Sequence, residues 1–318
     1  MFEQLGLIGC GLMGGSFALA ARRAGTVKRV VGYSKSPTTT QRALKLGVID
    51  AEASSMLRAI SGSDLVLIAV PVAVTETVFE SIKHLRMRDV LVMDVGSTKR
   101  DVADAARRVL GHSAALFVPA HPIAGREVSG VDNADPNLYA GKRVILTPLE
   151  NTRTEYVQRA TELWQAIGSQ VTCMTPDAHD AALAAVSHFP HLAAFALMLS
   201  LIEQPEGAAF LDLAGSGFRD FTRIAAAEPH MWRDILLANQ EQVRHQSRQF
   251  RKALVAFEQH MTQGRENELL HLIEQASTAR ANWKPAAPAG STAAPPAATR
   301  NDESRPRFSL SSFFNTGS

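Results

Sequence analysis

The sequence is poor in cysteine, with Cys10 and Cys173 the only two in 318 residues. That excludes a disulfide framework and points to a reducing compartment. Neither sign of charge is in excess. Lys and Arg number 33 against 31 Asp and Glu, a formal net charge of +2, so the broad basic face of a nucleic-acid-binding protein is not expected. The first apolar stretch, Leu5 to Ala21, is broken by five glycines and lacks the roughly 18–20 unbroken apolar residues of a membrane span. No charged and apolar leader opens the chain. These absences lead to the expectation of a cytoplasmic, small-molecule protein with no nucleic-acid or membrane partner. At about 150 residues per domain, the length implies two domains.

What is present is an alternation of short apolar runs and amphipathic stretches. Phe2–Gly9, Arg29–Tyr33, Asp64–Val70 and Val90–Val95 read as strands buried on both faces. Helices are expected at Leu12–Ala24, Thr38–Leu46, Val72–Leu85 and Lys99–Leu110. The plan is an α/β, Rossmann-type, doubly wound parallel sheet. Further strands are expected at Leu116–Ala120, Arg143–Thr147 and Gln170–Cys173, with a helix at Thr152–Ile167. From Thr175 to Trp283 no strand pattern occurs, and long helices are expected over Asp177–Glu203, with an interruption at Pro190, and over His230–Thr262 and Glu266–Ala281. The division is therefore a nucleotide-binding domain over 1–174, an all-helical domain over 175–283, and a Pro/Ala/Ser-rich, disordered tail over 284–318. Ala181–Ile202 is apolar on more than one face, which suits burial inside the domain or against a second subunit.

Five motifs carry chemistry. Gly9-Cys10-Gly11-Leu12-Met13-Gly14 follows a strand and opens a helix. Its glycines give a tight turn, a close approach for a pyrophosphate and close helix–strand packing, and the helix N-terminus offers N–H groups to phosphates. The acidic residue expected about 20 residues on, which would bind a ribose 2′-hydroxyl, is missing; the strand ends in Tyr33-Ser34-Lys35. A hydroxyl and an ammonium there favour NADP over NAD. The candidate cofactor set is Gly9, Gly11, Leu12, Met13, Gly14, Ser34, Lys35, Val70 and Ser97.

The other four motifs lie downstream. Asp94-Val95-Gly96-Ser97-Thr98-Lys99 ends a strand, where ligands bind in such sheets; the Ser97 hydroxyl also suits an N-cap for the next helix. His121-Pro122-Ile123-Ala124-Gly125 places an imidazole, a base near neutral pH, over the sheet edge, with Glu127 just beyond. Ser187-His188-Phe189-Pro190-His191 makes a polar notch in an apolar helix. No third ligand cluster accompanies its two histidines, so no metal site is expected. Gly215 to Arg223 and Met231-Trp232-Arg233-Asp234 put small residues before arginines suited to a carboxylate.

Taken in order from about Phe2 to Trp283, these motifs resemble the prephenate/arogenate dehydrogenase family of tyrosine biosynthesis. The resemblance implies a nucleotide domain joined to a helical domain that forms a homodimer. It also implies oxidative decarboxylation of prephenate to 4-hydroxyphenylpyruvate, or of arogenate to tyrosine, with NADP or NAD. It gives His121 and Ser97 as catalytic residues acting at the substrate 4-hydroxyl, and Arg223 as the grip on a carboxylate. His191, Ser187, Glu127 and Trp232 match further substrate-site positions. Arg126 and Ser216 depart from the family pattern. Two alternatives stay open. One is another hydroxyacid dehydrogenase of the same plan, disfavoured because no lysine occurs from Thr175 to Arg251. The other is a non-catalytic nucleotide sensor, disfavoured because the whole residue set is present. The choice between prephenate and arogenate is not legible.

Overall fold

The structure, a computed structural model, describes residues 1–84, 89–125 and 128–284. Strands β1 (Phe2–Ile8), β2 (Val27–Tyr33), β3 (Ala51–Glu52), β4 (Leu65–Ile68), β5 (Leu91–Asp94) and β6 (Phe117–Val118) form one parallel sheet in the order β3-β2-β1-β4-β5-β6. The order reverses between β1 and β4, so the ligand crevice falls at their carboxyl ends. The connecting helices are α1 (Leu12–Arg23), α2 (Pro37–Lys45), α3 (Met56–Ile60), α4 (Thr75–Ile82) and α5 (Arg100–Leu110).

Side-chain alternation splits each strand between two cores. Leu5 and Leu7 of β1 and Leu65 and Leu67 of β4 join the α1 side, while Ile8, Val66 and Ile68 join the α4–α5 side. This explains why the strands read as continuous apolar runs rather than alternating ones.

The run Leu116–Ala120 is not one strand. Pro119 lacks an N–H for the ladder, and the chain leaves the main sheet there to start β7 (Ala120–Pro122). With β8 (Arg143–Leu146) and β9 (Gln170–Cys173), β7 forms a separate three-stranded sheet, antiparallel at β7–β8 and parallel at β8–β9. Helix α6 (Thr154–Ala166) joins the last two strands, and its Trp164 meets Phe17 of α1 edge-on at 5.0 Å.

Beyond Cys173 the described chain is helical: α7 (Pro176–Leu183), a π-helical turn (Ala184–His188), α8 (Phe189–Ile202), α9 (Gly207–Asp212), α10 (Ser216–Thr222), α11 (Pro229–Ala238), α12 (Gln240–Thr262) and α13 (Glu266–Asn282). The interruption expected at Pro190 is the π turn just ahead of it. Proline has no N–H to donate, and the widened turn absorbs the mismatch. The expected single helix over His230–Thr262 is two, hinged at Asn239. Ser216, one of the two departures, starts α10. The expectations for Glu127, Arg126 and the tail from 285 onward lie outside the described residues.

Candidate active site

The glycine turn has the steric signature of a nucleotide cradle. Gly9 has φ +98°, and a Cβ there would lie 2.2 Å from the Ala69 carbonyl oxygen. A Cβ on Gly14 would lie 2.1 Å from the Gly9 carbonyl oxygen. Both are needed to bring α1 down onto the ends of β1 and β4, next to Val70. At Gly11 a Cβ would meet nothing within 4 Å, so that position faces open space. Gly11 is also the N-cap of α1, with no side-chain cap and no acidic residue in the first turn. Helix N–H groups around Leu12 and Met13 thus present an uncompensated positive end, which fits a pyrophosphate. Ser34 accepts from the Cys10 N–H at 2.9 Å and fixes the turn to β2. Lys35 is exposed beside it. Cys10 is buried, and burial pushes its thiol up to about 11, so it is a packing residue.

Three more candidates leave the carboxyl edge of the same sheet: Val70 after β4, Ser97 after β5 and His121 after β6. Ser97 does not cap α5. The N-cap is Lys99, with no side-chain cap of its own. The free N–H groups of Lys99 and Arg100 are instead taken by Asp180 of α7, at 2.9 and 3.0 Å. A carboxylate from the helical half replaces the local cap, which leaves the half-buried Ser97 hydroxyl for other work.

Asp180 also organises His121. Its Oδ1 lies 2.7 Å from His179 Nδ1, and His179 Nε2 lies 2.8 Å from His121 Nδ1. A carboxylate only accepts, so His179 carries its proton on Nδ1 and accepts on Nε2. His121 therefore donates from Nδ1 and keeps its lone pair on Nε2. Burial, with His179, Lys99 and His188 nearby, holds the His121 pKa well below 6.5. Burial also lowers that of His179. For Asp180, burial acts to raise the pKa. The His179 contact and the two backbone N–H groups outweigh it and hold the carboxyl below its usual value. The result is a neutral, oriented imidazole backed by an anion, the arrangement of a Ser-His-Asp triad with a second imidazole in the serine's place.

The π turn and α8 supply the opposite wall. His191 Nδ1 donates to the Ser187 carbonyl at 2.9 Å. Its ring stacks on Trp232 of α11 at 3.5 Å. Trp232 is buried and also meets His188 edge-on at 6.2 Å. Asn239 Nδ2 donates to the Asp180 carbonyl at 2.8 Å and contacts His188 Nδ1 at 3.1 Å. The carbonyl admits only a donor, so the amide orientation is fixed and His188 accepts on Nδ1. Its proton sits on Nε2, a buried atom with no partner among the described residues. Burial lowers the His188 pKa to about 4. Arg223 is exposed and opens a short 3-10 turn, Arg223–Ala226, that packs on α8.

The chain matches the family described as "Prephenate dehydrogenase, nucleotide-binding domain" over residues 17–173 and "Prephenate dehydrogenase, dimerization domain" over 175–275. It belongs to the prephenate dehydrogenase family. A prephenate dehydrogenase of Bacillus subtilis is 39% identical over 76% of this chain and 66% of its own length. The cyclohexadienyl dehydrogenase of Zymomonas mobilis is 34% identical over 75% of this chain and 82% of its own. A solved prephenate dehydrogenase of Aquifex aeolicus, in complex with hydroxyphenyl propionate and NAD+, is 36% identical with a TM-score of 0.82, covering 88% of this chain and 98% of that one. Such relatives place this member of the prephenate dehydrogenase family among NAD(P)-linked oxidoreductases.

Against that family background, the structure adds His179, Asp180 and Asn239 to the residues the motifs pointed to. A signal for the first two existed: an adjacent His-Asp pair in the opening turns of an alanine-rich, otherwise apolar helix. Asn239 had only its position at a break between two helical patterns.

Proposed function

We propose that the protein oxidatively decarboxylates prephenate, arogenate or both, with NADP preferred to NAD. The single observation that carries this reading is the His121–His179–Asp180 chain at the carboxyl edge of a sheet whose glycine turn fits a dinucleotide. When bound, the nicotinamide supplies the hydride acceptor. Leu12, Met13 and the glycines would hold its pyrophosphate, Ser34 and Lys35 the adenosine ribose or its phosphate, and Val70 and Ser97 the part nearest the chemistry.

His121 Nε2 accepts the proton of the substrate 4-hydroxyl as hydride leaves the same carbon. The positive charge that forms is spread through His179 toward Asp180, so proton transfer does not strand an imidazolium in a buried site. Ser97 orients the hydroxyl. Arg223 offers its guanidinium to a substrate carboxylate, with Ser187, His191, Trp232 and Glu127 completing the pocket. As the carbon becomes a ketone, the ring carboxylate departs as CO2, and its bonding pair makes the ring aromatic.

NADP preference rests on Ser34 and Lys35 at the end of β2, a hydroxyl and an ammonium where the NAD pattern has a carboxylate that would repel a 2′-phosphate. The nearest acid in register is Glu52, opposite Gly32 on β3. Asp50 is committed elsewhere, accepting from the Val30 N–H at 2.7 Å and from Arg22 at 2.8 Å.

The same reading makes the protein a cytoplasmic homodimer, with the nucleotide domain over 1–174 and the substrate and dimer domain over 175–283. The helical run Pro176–Ile202 has the length and apolar content of a membrane span. Its first part, however, holds the buried site residues His179, Asp180 and His188. Its second part leaves Leu199 and Ile202, three residues apart on one face, 53% and 58% exposed, an apolar surface suited to a second subunit. The test is kcat/KM for prephenate and arogenate, each with NADP and NAD. Activity with neither substrate rejects the reaction, and a higher value with NAD rejects the cofactor preference.

A further inference from the structure

Next to Ser97 and His121 lies a buried ion pair that the proton path does not use. Asp94, the last residue of β5, and Lys99 are 1% and 0% exposed. One oxygen of Asp94 accepts from the N–H of Ala120, the residue before His121, at 3.1 Å. The other accepts from the N–H of Gly96, the residue before Ser97, at 2.8 Å, and pairs with Lys99 Nζ. Gly96 is required for this grip, since a Cβ there would lie 2.9 Å from that oxygen and 3.0 Å from Val72 Cγ1.

A buried ion pair is seldom more stable than a well-packed apolar pair of the same size. An apolar pair, however, could neither grip two loops at once nor set a cation next to the base. We propose that Asp94 and Lys99 are the positioning unit of the active site, one carboxylate fixing the separation of Ser97 and His121 and one ammonium holding that carboxylate in place. The inference rests on the reading of His121 as the base and Ser97 as its partner at the substrate hydroxyl.

The charged and titratable groups around His121 come from three elements: His179 and Asp180 from α7, His188 from the π turn, and Lys99 and Asp94 from the β5–α5 connection. Lys99 is among the groups that oppose protonation of His121, while Asp94 acts on His179. Removing the ammonium stabilises the imidazolium, so protonation of His121 moves to higher pH.

Two variants test this. Lys99→Gln removes the charge and keeps an amide donor for Asp94. The double variant Asp94→Asn, Lys99→Met removes both charges at similar volume. Thermal unfolding and NADP binding check that each is folded. His121 is titrated by NMR with 13C-labelled histidine, and the acid limb of kcat/KM is followed with prephenate and NADP. In Lys99→Gln the His121 titration and the acid limb should rise together by about one pH unit; in the double variant, which loses the opposing charge of Asp94 as well, the rise should be smaller. In the double variant kcat should also fall by roughly 10–100-fold, as expected for a loosened reacting geometry, with KM little changed. An unmoved or lowered His121 titration in folded Lys99→Gln, or an unchanged kcat in the folded double variant, overturns the inference. A raised titration that the kinetic limb does not follow supports the electrostatic setting and rejects His121 as the base instead.

Discussion

His179 Nε2 stands 2.8 Å from His121 Nδ1, and this contact decides which atom of His121 can act. Because the far side of His179 meets the Asp180 carboxylate at 2.7 Å, the lone pair of His121 is confined to Nε2. Asp180→Asn removes the anion behind the relay, and with its oxygen kept toward His179 and Lys99 its NH2 opposes the Arg100 N–H and loosens the residue that holds His179. The expected result is a kcat lower by roughly 10²–10⁴-fold with cofactor binding retained, the size seen when a triad carboxylate becomes an amide. A variant with near-normal kcat rejects the relay.

Replacing the base itself should act on the chemical step. His121→Asn is expected to lower kcat by about 10²–10⁴-fold with KM little changed. Steady-state kinetics with the preferred substrate checks this, and a near-normal kcat removes His121 from the mechanism.

The pH profile has a definite sign. His121 must be neutral to accept a proton, and its pKa lies well below 6.5 in the folded protein. Activity is therefore kept as pH falls through 6.5 and is lost only below it. The acid limb of kcat/KM reads the free enzyme; a limb at or above 6.5 contradicts the burial of the base.

Stability should depend on pH through His188. Its pKa is about 4 when folded, against 6.5 ordinarily. Between these values the unfolded chain binds the proton and the folded one does not, so stability rises with pH across that window. A fall from about pH 6.5 to about pH 4 should cost roughly 3 kcal/mol from this group. His188→Gln removes this contribution, and its Tm should vary less over that range than that of the wild type. Parallel curves exclude the effect.

Two glycines of one turn should respond differently. Gly14→Ala drives a methyl into the Gly9 carbonyl and should destabilise the protein by about 2 kcal/mol. Gly11→Ala faces open space and should change stability by less than about 0.5 kcal/mol. It should weaken the nicotinamide cofactor, NADP or NAD, about tenfold, the cost of one displaced charge-assisted hydrogen bond. Unfolding curves and cofactor titrations of the two variants separate the cradle from the packing.

The sheet and its glycine turn were legible because they are local. Each strand is a short apolar run, and each glycine role follows from its place between strand and helix. His121, Ser97, His191 and Trp232 are candidates that the motifs supply, and the structure gives each a definite environment. The relay was not legible, because its contacts are long-range: Asp180 reaches the N–H groups of Lys99 and Arg100, about eighty residues earlier. Nothing near Ser97 shows that its capping role has been taken by another helix. The split at Pro119 was hidden for a related reason. Five apolar residues in a row look the same whether they serve one sheet or two.

The capping of α5 by Asp180 has a mechanical consequence. The residue that ends the relay belongs to the helical half, and the amides it grips belong to the nucleotide half. Arg100 and Glu241 reinforce that seam on the outside at 2.9 Å. A wide swing of one half away from the other would break the hydrogen bonds that hold His121 in one tautomer. Any parting of the two halves therefore uncouples His121 from Asp180, and the oriented imidazole exists only while they are together.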